Sequence, residues 1–412
     1  MQDIRSITQA DVKDRTVLVR ADLNLPTDGK VVTDFTRLER LAPTLQMLAD
    51  RGARVVVISH FGRPDGRVDK AYSLRMMAEA LGAALSRPVH FIDDCNGGTT
   101  ALEVAAVPFG QIAVLENLRF HPGEEANDPE FARRLARLGD IYVNEAFSCS
   151  HRAHASLHAL AQLLPAYAGP SMMAELEALQ VSLENPQRPV AALVGGAKVS
   201  TKLPVLENLL PRVDLLIIGG GMANTFLLAL GQNTGKSLAE PNFADKARAI
   251  LAAAEERGTT IVLPLDVTLG EAFRPNPRTW VEDADRLSGE GLILDIGPRS
   301  IEDLKTRLAG CKTLLWNGPL GAFETEPFGR GTFEVARAAA ELTKAGRLVS
   351  VAGGGDTVAA LNAAGVVEDF TYVSTAGGAF LEWLEGKELP GVAALKHSTT
   401  GYQEAPQWRA SH

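Results

Sequence analysis

Four short polar stretches, each directly after a run of aliphatic residues, carry side chains that could do chemistry. They are Asp22-Leu23-Asn24, His60-Phe61-Gly62-Arg63, Glu116-Asn117-Leu118-Arg119, and Asn144-Glu145 leading to His151-Arg152. Three of the four bring an arginine and two a histidine, and Arg37 can join them from the first turn of the helix after the first stretch. Guanidinium forks bind phosphate and carboxylate bidentately, so such a set suits a small substrate that bears both groups. The anion site must be local, because 41 basic against 50 acidic residues leave a net charge of −9. That balance argues against nucleic acid or an anionic membrane as partner.

The second half of the chain places glycine at the same kind of position. Aliphatic runs are followed by Gly195-Gly196-Ala197-Lys198, Gly219-Gly220-Gly221-Met222, Asn317-Gly318-Pro319 and Gly353-Gly354-Gly355-Asp356-Thr357. Glycine lets backbone N–H groups approach phosphate oxygens, and a helix starting at Asp356 or Thr357 would aim its positive end at them. Asp356 there is a natural Mg²⁺ partner, and Lys198 and Lys202, four apart, are expected on one helix face as two point charges for a phosphate chain. These features read as a nucleotide site. Two other patterns do not qualify. Gly231-Gln232-Asn233-Thr234-Gly235-Lys236-Ser237 is one residue short of a phosphate-binding loop and reads as a surface loop. His151, His154 and His158 have zinc-ligand spacing along an expected helix but lack the glutamate of the metalloprotease pattern, so the anion role is preferred. No Gly-x-Gly-x-x-Gly follows a strand, which counts against a dinucleotide dehydrogenase.

The elements that must position these residues alternate short β-branched runs with helical periodicity, the signature of an α/β fold with parallel sheets. Strands are expected at 17–20, 55–59, 89–92, 112–115 and 141–143, and then at 190–194, 215–218, 261–263, 313–316, 348–352 and 372–374. Leu38, Leu41, Leu45 and Leu48 mark a helix with Thr36 and Glu39 as a capping box, Gly52 as terminator and Pro43 as a kink. A length of 412 residues allows two or three domains. Two Rossmann-like domains, each a mostly parallel sheet flanked by helices, are expected at 1–171 and 187–386. They are joined by a hinge helix at 172–186, where Leu176, Leu179 and Leu183 share a face ahead of a proline-bearing run. Residues 387–412 read as a C-terminal segment that either packs back on the first domain or frays. Cys95, Cys149 and Cys311 are odd in number and far apart, giving no disulfide framework, and neither a signal sequence nor a membrane-spanning run is found. A cytoplasmic protein is expected.

With these stretches in hand, the chain resembles the phosphoglycerate kinase family from about Ile4 to Leu395. The resemblance rests on Val19 to Pro26, Ser59 to Pro64, Glu116 to Phe120, His151 to His154, Leu193 to Ser200, Ile217 to Met222, Leu294 to Pro298, Trp316 to Gly321, Gly353 to Thr357 and Glu385 to Gly391. It implies reversible, Mg²⁺-dependent transfer of the acyl phosphate of 1,3-bisphosphoglycerate to ADP, giving 3-phosphoglycerate and ATP, by a monomer whose two domains close on a hinge. It further implies that Asp22 and Asn24 hold the glycerate hydroxyl and carboxyl region. His60, Arg63, Arg119, His151 and Arg152 would hold the far phosphate, and Arg37 would face the transferring phosphoryl group. On the nucleotide side, the family pattern gives Lys198 and Lys202 the phosphates, Gly219 and Gly220 the adenine pocket and Asn317 and Pro319 the nucleotide. Glu324 would take the ribose, and Asp356 with Thr357 the Mg-phosphate end. The glycine-cluster residues Gly195, Gly354 and Gly355 complete that set. The backbone N–H groups at Gly377 and Gly378 would meet the transferring phosphoryl group.

Three departures stand out: Glu145 and Ser148 where the family usually has aspartate and glycine, Ala376 and Phe380 around the glycine pair, and Thr201 where aspartate is common. A methyl group at Ala376 requires a negative φ there. The competing reading is a catalytically impaired, nucleotide-binding paralogue with a regulatory role. Retention of Arg37, Lys198, Lys202 and Asp356 argues against it.

Overall fold

The computed structural model describes residues 3–29 and 31–397. Two compact units are present, one formed by the described residues up to Leu176 together with those from Glu388 on, the other by Glu177–Lys387.

In the first unit, runs such as Val17-Leu18-Val19 and Val55-Val56-Val57 are buried on both faces. Such continuous hydrophobicity belongs to a parallel sheet covered by helices on both sides. Six strands lie in the order Val89–Ile92, Ile112–Leu115, Arg54–Ile58, Thr16–Arg20, Ile141–Asn144 and Ala166–Ala168, every neighbouring pair parallel. The helix Thr36–Asp50 runs continuously through Pro43 and buries Leu38, Leu41, Leu45 and Leu48 against this sheet's core. Its start differs from expectation. Thr36 is already the first helical residue, and the Asp34 carboxylate accepts its N–H at 2.9 Å, so the Thr36/Glu39 capping box does not form. Its end is as expected: Gly52, at φ +82°, donates to the Ala49 carbonyl at 2.9 Å.

The second unit repeats the plan with strands ordered Thr260–Val262, Leu215–Ile218, Val190–Val194, Thr313–Asn317, Val349–Gly353 and Tyr372–Ser374, again all parallel. An antiparallel sheet of Thr279–Asp283, Asp266–Gly270 and Leu292–Ile296 is added, which the sequence reading did not anticipate.

The expected hinge helix is shorter as an α-helix than its leucine spacing suggests. It spans Pro170–Leu179 and passes into a π-type turn at Gln180–Glu184. The C-terminal segment, read as lacking periodicity, contains the helix Pro390–His397. Gly391 ties it to the first unit by donating to the Ser150 carbonyl at 2.9 Å and accepting from the Asn144 amide at 3.4 Å. Among the described residues, no helix is long and apolar enough to cross a membrane.

Candidate active site

Because all strands of each main sheet point the same way, the loops after their carboxyl ends gather on one edge, where open α/β sheets bind ligands. In the first unit this edge carries Asp22, Asn24, His60, Arg119, His151 and Arg152, with Arg63 exposed beside them. Polar contacts fasten the loops first. Ser59 Oγ accepts from the Leu23 N–H at 2.9 Å and donates to the Ala21 carbonyl at 2.8 Å. The Asn117 amide donates to the Phe61 and Tyr72 carbonyls at 2.7 and 2.9 Å, while its oxygen accepts from the Arg119 N–H at 3.0 Å. Glu116 accepts from the Ser73 hydroxyl at 2.6 Å and the Leu74 N–H at 2.8 Å, so Glu116 and Asn117 hold loops rather than ligand.

On that frame Arg37 reaches back from its helix, pairing with Asp22 at 2.9 Å and donating to the Asn24 carbonyl at 2.9 Å. Asn24 in turn accepts from the Gly62 N–H at 2.9 Å, and Ser148 donates to Asp22 at 2.5 Å. Arg119 is buried, donating to the Gly62 carbonyl at 2.7 Å and pairing with Glu125 at 3.1 Å. Arg152 donates to His151 at 3.2 Å. Arg20, fully buried and not singled out from sequence, donates to Ser156 at 2.8 Å and to His60 Nδ1 at 3.2 Å. Only its position at the end of a strand could have flagged it. The combined field is strongly positive. Burial, then the charges of Arg20, Arg119 and Arg152, push His60 well below the usual imidazole range. His154 is pushed down to about 4 by burial followed by Arg119, Arg20 and Arg152.

The histidine-bearing segment is a series of turns, not the helix its spacing suggested. Glu124 claims its backbone: the Ala155 N–H donates to the Glu124 carbonyl at 2.9 Å and the Ser156 N–H to its carboxylate at 3.0 Å. Glu145 points away from the rim. Its carboxylate accepts from the Met172 N–H at 3.0 Å and the Ser171 N–H at 3.3 Å, capping the helix Pro170–Leu179, and also from the Thr44 hydroxyl.

In the second unit the glycine loops enclose a cavity of about 510 Å³, whose wall includes Gly196, Gly220, Pro319, Glu324 and Asp356. Leu238, Phe273 and Leu294 add apolar surface to its wall. The antiparallel sheet supplies Val267 and Leu292 to Ile296; of these, Leu294 to Ile296 lie in a stretch that carried the resemblance, while Val267, Leu292 and Ile293 were marked by no motif. Two loops approach so closely that a Cβ on Gly195 would overlap the Pro319 carbonyl and one on Gly318 the Gly195 carbonyl. Gly219, close against Leu320, is a packing position.

Lys198 and Lys202 do not share a helix face. They flank a single 3₁₀ turn, Val199–Thr201, with Lys198 exposed and Lys202 half-buried. Three residues per turn separate positions four apart by a third of a circle. Lys202 donates to the Asn317 side-chain oxygen at 2.7 Å, and the Asn317 amide donates to the Gly353 carbonyl at 2.7 Å. Thr357 Oγ1 accepts from the Gly318 N–H at 2.7 Å and donates to Gly353 at 2.8 Å. Asn317 and Thr357 therefore spend their side chains inside the protein, fastening loops and aiming Lys202. Burial lowers the Lys202 amine, opposed by the Asp356 and Glu385 carboxylates.

The helix Gly355–Ala364 opens with Gly354 at φ +101° and carries exposed Asp356 in its first turn. The helix Gly377–Leu384 starts nearby, since a Cβ on Gly377 would lie 3.9 Å from the Gly355 nitrogen. Two helix N-termini thus converge. Ala376 has φ −93°, so its methyl group is accommodated, and Phe380 is buried against Gly353 rather than protruding.

The family model described as phosphoglycerate kinase matches residues 7–387. A phosphoglycerate kinase of Methylorubrum extorquens is 57% identical over 397 residues, covering 96% of this chain and 99% of the relative. That of Rhizorhabdus wittichii is 58% identical over 386 residues, covering 94% and 97%. Among solved structures, phosphoglycerate kinase from Coxiella burnetii superposes with a TM-score of 0.90 at 41% identity, covering 96% of this chain and 99% of that one. The protein from Pyrococcus horikoshii gives 0.79 at 30% identity, with the same coverage. The chain belongs to the phosphoglycerate kinase family, phosphotransferases whose acceptor is a carboxyl group.

Proposed function

We propose that the cationic rim of the first unit holds 3-phosphoglycerate or 1,3-bisphosphoglycerate and that the glycine-lined cavity of the second holds ADP or ATP. The acyl phosphate then moves reversibly between them. The observation that carries this reading is the contrast between equivalent sheet edges: guanidinium and imidazole groups on one, main-chain amides and an apolar wall on the other.

In this reading Arg63, Arg119, His151 and Arg152, with His60, take the substrate's non-transferring phosphate, while Asp22 and Asn24 take its hydroxyl and carboxyl region. Asp22 also holds Arg37 in place, so that its guanidinium is ready for charge on the transferring phosphoryl group. Lys202, aimed by Asn317, and the N–H groups of Gly377 and Gly378 meet the same charge from the nucleotide side. Lys198, exposed at the neighbouring turn, serves the phosphate chain. Gly220 and Pro319 border the adenine, and Glu324 takes the ribose hydroxyls. No general base is needed, because the accepting carboxylate and phosphate oxygens are already ionised.

Asp356 fits a Mg²⁺ requirement. A single hard carboxylate on the cavity wall suits an ion that takes its remaining ligands from phosphate and water. When bound, the ion would neutralise nucleotide phosphate charge. An acyl phosphate hydrolyses readily, so water must be expelled before transfer. We infer that the connection at 172–186 acts as the hinge for this closure. A monomer in the cytoplasm is consistent with the net charge and with the three free, buried cysteines.

The test is ATP consumption coupled to 3-phosphoglycerate. Turnover should depend on that acid, and Arg37→Ala should lower kcat by about 10²–10³-fold while ADP affinity is retained. ATP consumption independent of the acid, or an Arg37→Ala enzyme with normal kcat, would count against the assignment.

A further inference from the structure

The loop after the strand Val89–Ile92 reads Asp93-Asp94-Cys95-Asn96, and His121 follows the turn that presents Arg119. A ligand atom from each of Asp94, Cys95 and His121 lies within 4.8 Å of the others. His121 Nε2 is 3.2 Å from Asp94 Oδ1. Two donors bound at about 2.0–2.1 Å to one tetrahedral Zn²⁺ stand about 3.3 Å apart, so this pair already has the spacing of two ligands. The His121 ring is held by stacking on Phe131, with centroids 5.2 Å apart. Asp94 Oδ1 accepts the Cys95 and Asn96 N–H groups at 2.7 and 3.2 Å, which fixes the loop around the carboxylate. The Asn96 side-chain oxygen is buried with no hydrogen-bond donor among the described residues. Cys95 is fully buried, and burial, followed by the Asp94, Glu124 and Glu116 carboxylates, pushes its thiol well above the usual range, so the sulfur keeps its proton until a cation displaces it. Carboxylate, imidazole and sulfur side by side are donor types that Zn²⁺ takes.

We propose that Asp94, Cys95 and His121 form a binding site for a borderline-soft divalent cation of the Zn²⁺ class, with water or the Asn96 oxygen completing a tetrahedron. The Cys95 thiol proton leaves to solvent as the sulfur–metal bond forms, and thiolate and carboxylate together balance the dication. A thiolate ligand selects against Mg²⁺. A second such group among the described residues, Asp22, His60 and Cys149, is unsuited to a cation because Arg37 pairs with Asp22 at 2.9 Å and Arg20 contacts His60 at 3.2 Å. A metal here would brace the loop against the turn that presents Arg119, two residues before His121.

Titration of the full chain with Co²⁺ as spectroscopic probe, followed by Zn²⁺ as competitor, tests the site. One Co²⁺ should bind per chain with a thiolate charge-transfer absorption that Zn²⁺ abolishes and Mg²⁺ does not. Cys95→Ser should remove the band, Cys149→Ser should leave it, and Asp94→Asn, a change at an exposed position, should weaken binding roughly tenfold or more. Absence of the band in the unaltered protein, or a band that survives Cys95→Ser in a folded variant, overturns the proposal.

Discussion

His60 and His154 lie among guanidinium groups, and burial together with that field keeps both neutral near neutral pH. A bound phosphate dianion would reverse the sign of the local field. Saturation with 3-phosphoglycerate should therefore raise the pKa of both imidazoles, seen as displaced titration curves in NMR; unchanged curves would place the anion elsewhere. The same shift has a stability consequence. With a native pKa of about 4 against an ordinary value of 6.5, His154 binds fewer protons folded than unfolded. Its contribution is complete above pH 6.5 and is lost as pH falls towards 4, so His154→Gln should flatten the decline in denaturant stability across that window. Residue types and their place after strands were legible here from the sequence. The partners were not: Arg20 and Glu124 come from distant segments, and only the folded chain shows that they organise His60 and Ser156.

At the scale of elements, the strand Leu292–Ile296 carries Asp295 one residue before its end, and the Asp295 carboxylate accepts the Gly331 and Ile296 N–H groups at 2.8 Å each. Burial pushes this carboxyl up to about 7 from 3.8. The native state then holds a proton that the unfolded chain has lost, so this group's contribution falls as pH rises from about 4 to 7, opposite in sign to that of His154. Relative to the unaltered chain, Asp295→Ala should lose this falling component, so that its stability changes more positively with pH between about 4 and 7; an unchanged slope would assign the component to another group. The helix Gly377–Leu384 is anchored by Phe380 against Gly353, and Phe380→Ala should cost about 3–5 kcal/mol in urea unfolding. A loss well under that would mean that Phe380 does not anchor the helix. Continuous aliphatic runs announced eleven of the twelve strands of the two parallel sheets within a residue or so, because a strand covered on both faces leaves little freedom of composition; the short edge strand Ala166–Ala168, only three residues long, was not anticipated. The strand Thr279–Asp283, exposed on alternate residues and partly acidic, gave no such signal. Lys198 and Lys202 misled because four-residue spacing implies a shared face only if the turn is α-helical, and this one is 3₁₀.

For the molecule as a whole, an acidic chain of net charge −9 concentrates cationic side chains on one sheet edge and amides on another. The two units are covalently joined at Leu176–Glu177 and at Lys387–Glu388. If acid and nucleotide have separate homes, their affinities must be separable by mutation. Calorimetric titration of each ligand alone into Arg63→Ala/Arg152→Ala and into Lys202→Ala/Asp356→Ala measures this directly. The first variant should lose about 10–100-fold in affinity for 3-phosphoglycerate and keep its affinity for ADP, while the second should do the reverse. A rim variant that loses ADP binding yet still takes up the acid normally would contradict the assignment of the two sites.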